Sequence, residues 1–409
     1  MKPTIRFIHS ADLHLDSPYK GMQDLPASIF NDVKESTLIA YERLIDLAIK
    51  EQVDFVLFVG DLFDQQSTSI KSVMKLKQGL ERLNDHGIVA YVSFGNHDFG
   101  IGEKVDLTFP ENTYVFESEE ITSYPFTKNG QEVARIYGFS YERRAVKKKK
   151  VREYDMNRPD VYQIATLHGS IQSNTDHDVY APFTLDEIKK HPADYWALGH
   201  IHKREILTEE PYVVYPGNIQ ARHINEPGEK GCYLVELSDH DTTLDFHPLQ
   251  EIVFEEKSVK ELDSTSLDGI TEELIALKDT WRNAGQKKMI RLHLHLPESL
   301  ALTKEKQDEL YEILNEDEEM EPDWVWIQSM TIHLEVTYDR EKLKESNQFI
   351  GEVLKTVDSE ESAMNYLEML ANKREIKKHV QPFSEDALDD IKKEAEQMII
   401  KELIKDGEA

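Results

Sequence analysis

The chain has 409 residues and carries 48 Lys+Arg against 78 Asp+Glu, a formal net charge of −30. That balance excludes a large electropositive surface as its main feature, so any polyanion must be met by a local basic patch, by bound cations or through a partner. A single cysteine, Cys232, excludes an internal disulfide and a thiolate metal site.

The stretch 1–6 lacks the apolar core of a signal peptide. No run approaches the roughly 18 apolar residues of a membrane span. A soluble, cytoplasmic protein with no membrane partner is expected. Short apolar runs then alternate with helical periodicity. Residues 5–9, 53–59, 88–94, 162–167 and 195–198 read as buried strands, and 30–50 and 70–85 as helices. This alternation predicts an α/β domain over residues 1–250. From 211 to 246 the pattern changes to short strands and turns, with Pro216-Gly217-Asn218 and Pro227-Gly228 as breakers. Strands at 252–254, 289–296 and 324–338, with helices at 267–283 and 304–315, predict a small α+β unit over 251–340. Residues 341–409 read as helical. The acidic run 316–319 reads as a solvated loop, Cys232 as a core residue, and His177 and Asp178 as a surface turn. Trp324 and Trp326 alternate on a predicted strand and read as core, with base stacking as the sharper alternative.

Polar residues of ligand type come directly after five of the strands. They are Asp12 and His14, Asp61 and Asp64, Asn96 to Asp98, His168, and His200 with His202. In α/β sheets the functional crevice lies beyond the carboxyl ends of the strands, so these residues can converge. Asp12, His14, Asp61, Asn96, His168, His200 and His202 are too many ligands for one ion but suit two that share a carboxylate. Oxygen and imidazole together favour manganese, iron or zinc over magnesium or calcium. Two such ions can hold a hydroxide and clamp a phosphate. Gly60, Gly95 and Gly199 precede three of the clusters and allow sharp turns.

The set D-x-H, G-D-x-x-D, G-N-H-D, H-G and G-H-x-H, in this order over residues 5–245, resembles the calcineurin-like metallophosphoesterases. The chain is also similar to the SbcD-type DNA-repair nuclease subunits. That similarity lies in Asp12-Leu13-His14-Leu15, Gly60-Asp61-Leu62-Phe63-Asp64, residues 197–202 and Tyr215-Pro216-Gly217-Asn218. Residues 12–18 look most like the YhaO-type branch. The resemblance implies a four-layer α/β/β/α sandwich with a small α+β capping domain and a helical C-terminus. It implies one metal on Asp12, His14, Asp61 and His202 and a second on Asp61, Asn96, His168 and His200. It makes His97 the group that assists at the scissile phosphate and Asp98 the residue that orients His97. The activity implied is metal-dependent phosphodiester hydrolysis on DNA, with an SbcC-type SMC-like ATPase and its coiled coil as partner and a homodimer as one assembly. One departure stands out: Asp64 takes the place of a second catalytic histidine found in some members, and a carboxylate cannot donate to a phosphate at neutral pH.

Two rivals remain, a phosphoesterase on a smaller substrate and a DNA-binding or scaffold subunit. The dense basic run of Arg143, Arg144, Lys147, Lys148, Lys149, Lys150 and Arg152 is the candidate DNA contact, against a plain solvated loop. Near the C-terminus Ser384 can cap a helix. Leu388, Ile391, Ala395, Met398, Ile399 and Leu403 would give it one apolar face, for the ATPase or for the chain's own core.

Overall fold

Successive side chains on a strand point to opposite faces, so an apolar run without a break, such as 55–59, needs cover on both sides. The computed structural model provides it. The structure describes residues 2–64, 68–99, 108–172, 180–282, 285–335, 340–345 and 349–359, with 395, 396, 398–400 and 403 beyond them. The chain divides into two units. The first is Met1–Glu256 with Lys278–Arg291 and Asn315–Gln328; the second is Lys257–Leu277 with Leu292–Leu314 and Ser329–Ala409.

The first unit holds strands β1 (Ile5–Ser10), β2 (Phe55–Val59), β3 (Val89–Ser93), β4 (Thr113–Val115), β5 (Thr122–Lys128), β6 (Gln131–Gly138), β7 (Tyr162–His168), β8 (Tyr195–Gly199), β9 (Glu205–Glu209), β10 (Tyr212–Tyr215), β11 (Gly231–Leu237) and β12 (Thr242–Pro248). Its helices are α1 (Ala27–Lys50), α2 (Ile70–Asp85) and α3 (Leu185–Ile188). One sheet has the order β12-β11-β1-β2-β3-β4 and the other β5-β6-β7-β8-β10-β9. Strands β1 to β4 are parallel, as are β6, β7, β8 and β10.

Between the sheets lies a core of Phe7, Phe55, Leu57, Val59 and Tyr91 against Phe126, Ile136, Ile164 and Tyr195. The alternate residues of the first sheet, Ile8, Val56, Phe58 and Val92, pack instead on Leu38, Tyr41, Leu44, Leu76 and Leu80 of α1 and α2, and Cys232 is buried among them. On the far side of the second sheet, Leu167, Trp196 and Leu198 pack on Val151, Tyr154 and Ile188. These are the four layers α/β/β/α. Each large apolar side chain fully buried here contributes about 1.5–3 kcal/mol.

A third sheet has the order β13 (Ile252–Val259), β14 (Lys287–Pro297), β15 (Val325–Glu335). Helices α4 (Leu267–Trp281) and α5 (Lys304–Asn315) alternate with its strands, and α6 (Arg340–Glu345) and α7 (Phe349–Ser359) come after them. Trp324 and Trp326 are buried in the first unit with Tyr19, Ile29, Phe254 and Met289, so no indole face is open to a base. The acidic run is not wholly solvated. Glu318 is buried and accepts from Lys278 Nζ at 2.6 Å, Arg282 at 2.7 Å and the Val325 amide at 2.6 Å.

In the second unit Ile350, Leu354 and Ile400 form a small core joined by Leu343 and Leu403. Met398 and Ile399 are exposed. The rest of the expected C-terminal helix, including Ser384, Leu388 and Ile391, and the turn at His177 and Asp178, lie outside the described residues.

Candidate metal centre

Because β1, β2 and β3 run parallel, their carboxyl ends share one edge of the first sheet, and those of β7 and β8 share one edge of the second. The chain leaves these ends in strained conformations. Asp12 (φ 52°), His14 (φ 44°), Asp61 (φ 51°) and His200 (φ 96°) all lie in the left-handed region, at about 1–3 kcal/mol each. Backbone bonds hold them there: Asp12 N to Gly60 O at 3.1 Å and His14 N to Asp61 O at 3.0 Å. The His200 amide donates to Asp12 Oδ2 at 3.0 Å, tying the end of β8 to the end of β1. Gly60 turns with φ 76°, but Gly95 serves space rather than a turn. A Cβ on it would sit 2.2 Å from Asp61 Oδ1.

Three groups of buried and half-buried ligand atoms result, Asp12 with His14 and His202, Asp61 with His168 and His200, and, beside the first, His14 with Asp64 and His97. Asp61 lies between the first two, with Oδ2 at 3.4 Å from His168 Nε2 and 3.8 Å from His14 Nε2. Its Oδ1 accepts from the His97 amide at 2.8 Å. Asn96 Oδ1 is 2.9 Å from His168 Nε2 and 3.1 Å from His200 Nδ1. The structure thus brings all seven expected ligands together.

Their lone pairs fit a cation. His168 Nδ1 donates to the Val59 carbonyl at 3.1 Å, which leaves Nε2 facing Asn96 Oδ1 and Asp61 Oδ2, where a cation can take the place of its proton. Burial disfavours charge on His168, yet Asp61 and Asp12 outweigh it and lift the imidazole to about 9. His14 Nε2 faces His202 Nε2 at 3.0 Å, and His14 Nδ1 is buried with no hydrogen-bond partner. Burial pushes Asp12 up to about 6, although His168 and His202 pull against it. Burial works against the charge of Asp61 too, but His168, His14 and His97 hold its carboxyl well below the usual range. Buried groups with converging lone pairs and negative charge are costly unless a positive charge joins them.

A model of the calcineurin-like phosphoesterases matches residues 5–204. The metallophosphoesterase YhaO of Bacillus subtilis is 38% identical over 412 residues, covering 99% of both chains. The chain belongs to the calcineurin-like metallophosphoesterases. Two further relatives are DNA double-strand break repair proteins Mre11. That of Methanocaldococcus jannaschii is 24% identical over 61% of this chain and 66% of its own. That of Sulfurisphaera tokodaii is 23% identical over 70% and 72%. Members of the family use two divalent metal ions.

In this metallophosphoesterase the expected partner of His97 is different. Asp98 is buried, and its oxygens accept from the amides of Leu62 (2.9 Å), Phe63 (2.8 Å) and Gly95 (3.0 Å), so it holds two strand-end loops together rather than orienting the His97 ring. The carboxylate that faces His97 Nδ1 is Asp64, at 3.9 Å, and its proximity raises the His97 imidazole above its usual range. Asp64 also accepts from Arg222 at 2.5 Å, and Arg222 Nε donates to Ser17 Oγ at 2.9 Å. Asp16, for its part, accepts from the amide of Ser69, the residue that caps α2.

Arg222 and Glu226 carry no mark in the sequence pattern. Glu226 Oε1 accepts from His202 Nδ1 at 2.6 Å, and its Oε2 accepts from Asn218 Nδ2 at 2.9 Å and from the Arg222 amide at 2.7 Å. A carboxylate behind a ligating histidine fixes its tautomer. These residues sit in a turn-rich stretch, 216–228, with no metal-type spacing, and its only hint is the Pro and Gly punctuation.

The basic run is largely neutralised. Arg143 pairs with Glu119 at 3.1 Å, Lys148 with Glu153 at 2.8 Å, Lys149 with Glu187 at 3.0 Å, and Arg152 with Glu187 at 2.5 Å. Lys150 is buried, pairs with Glu153 at 2.5 Å and lies over the Phe139 ring. Among the described residues of the run, only Arg144 and Lys147 are exposed with no ion pair.

Proposed function

We propose that this metallophosphoesterase hydrolyses phosphodiester bonds of DNA. The observation that carries the reading is Asp61, buried between two groups of imidazole and carboxylate ligands, with the partly exposed His97 beside them. Asp12, His14, Asp61 and His202 would hold one ion, and Asp61, Asn96, His168 and His200 the other. The lack of thiolate supports manganese, with iron or zinc next. When bound, the ions supply charge that neutralises phosphate oxygens and lowers the pKa of water.

The protein's own residues do the rest. His97, at 39% side-chain exposure, is reachable by substrate and, protonated beside Asp64, can donate to the leaving oxygen. Asp64 steadies it and balances Arg222, whose guanidinium adds positive charge at this end of the site. Asp98 holds the loops that carry Asp61 and Asn96 in register. No helix among the described residues is long and apolar enough to cross a membrane. The Mre11 relatives support DNA as substrate and, with the sequence resemblance, a coiled-coil ATPase as partner.

The neutralised basic run favours a second reading, a smaller phosphodiester or monoester substrate, because two free cations draw little DNA to a −30 protein. The test compares duplex DNA, a single-stranded oligonucleotide, a model diester and a model monoester, each with manganese and with Asp61→Asn as control. Manganese-dependent cleavage of DNA and diester supports the first reading. Monoester or nucleotide hydrolysis alone supports the second.

A further inference from the structure

We propose that His293, His295 and His333 form an additional metal-ion site in the second unit, of the zinc, copper(II) or nickel class, sharing no residue with the strand-end centre. Strand β14 alternates strictly in its second half. Leu292, Leu294 and Leu296 are buried, and His293 and His295 stand on the other face, half-buried. Residues two apart on a strand present their side chains to one face, about 6–7 Å apart along the chain. Strand β15 lies next to β14 in the sheet and brings the exposed His333 to the same two rings.

Nδ1 of His293 is 2.9 Å from Nε2 of His333, and their ring centres are 5.2 Å apart. The His295 and His333 ring centres are 4.7 Å apart. On β13, Ser258 Oγ is 3.1 Å from His295 Nε2. An imidazole nitrogen binds zinc at about 2.0–2.1 Å, so a ring centre lies about 3.2 Å from the ion and tetrahedral neighbours sit about 5.2 Å apart. The observed spacings fall close to that value.

The ligand set also selects the ion. Three imidazoles with no carboxylate in the trio are poor for magnesium, calcium and manganese and good for zinc, copper(II) and nickel. Three protein ligands leave a fourth position for water or for Ser258. The planes of His295 and His333 differ by 21°, so His295 must turn about its own side-chain bonds to aim a nitrogen inward. Its partial exposure leaves room for that turn. The sheet fixes which three side chains meet, two from β14 and one from β15, and the turn of His295 completes the trio.

The full chain is dialysed against zinc and its bound equivalents counted, together with His333→Ala and the separate variant His295→Asn. Three equivalents are expected in the unchanged protein and two in each variant, with turnover of a model diester unchanged. Copper(II) added to the unchanged protein already loaded at the strand-end centre should give an electron paramagnetic resonance spectrum with splitting from three nitrogens. Equal zinc equivalents in all three proteins, or a copper spectrum with fewer than two nitrogens, would overturn the site. Because these residues play no part in the proposed hydrolysis, failure of that reading leaves this result intact, and the reverse also holds.

Discussion

The strand ends and the segment 143–152 are opposites. Seven ligand-type residues spread from Asp12 to His202 meet within a few ångströms, whereas seven basic residues adjacent in sequence are mostly claimed by Glu119, Glu153 and Glu187. A parallel sheet gathers the residues just past its strands, because every strand delivers its chain to the same edge. A charge run on a surface is gathered by nothing, and its neighbours neutralise it. Closeness in sequence is therefore a poor guide to closeness in action.

The comparison breaks most readily at Asp61. Asp61→Ala is expected to lose at least one metal equivalent and activity on every substrate; unchanged metal content by elemental analysis would show that the carboxylate is not shared. His97→Ala is expected to keep both ions and lose turnover by about 10²–10⁴-fold, the range for a positioned acid. If metal is lost instead, the ring is a ligand. Glu226→Gln should weaken metal affinity or activity by about 10–100-fold through His202, read by titration with manganese.

The basic run sharpens the contrast from its weak side. Arg144→Ala with Lys147→Ala should weaken duplex DNA binding alike for all sequences and lower the salt slope by about one per residue. Lys149→Ala and Arg152→Ala should do less. Lys149 and Arg152 hold Glu187 down to about 2, so it stays ionised on mild acidification. A rise in DNA affinity between pH 7 and 5 would therefore not come from release of these pairs. An equal effect of all four alanine variants in the salt titration would erase the distinction between paired and free cations.

The first unit is legible in the sequence because its strands are apolar on both faces and each ends in a polar cluster. The hairpin of β5 and β6 is not, although Asn129-Gly130 marks its turn, with both residues at positive φ. Its strands mix Thr, Pro, Arg and Glu with their apolar residues, so no run stands out. The ligands are legible as residue types at strand ends. Asp98 misleads because a carboxylate beside a histidine in sequence invites pairing, while three backbone amides from two loops claim it instead. Glu318 misleads because its cations, Lys278 and Arg282, lie more than thirty residues upstream.

The candidate centre draws Asp12, His14, Asp61 and Asn96 from one sheet and His168, His200 and His202 from the other. It is a tie across the sandwich, and the layers cannot part without dismantling it. By mass action an ion held at one hundred times its dissociation constant adds about 2.7 kcal/mol to the unit that binds it. The supply of metal would then govern how long this protein survives as a folded object as well as how fast it works. A chelator would act on it as a mild denaturant.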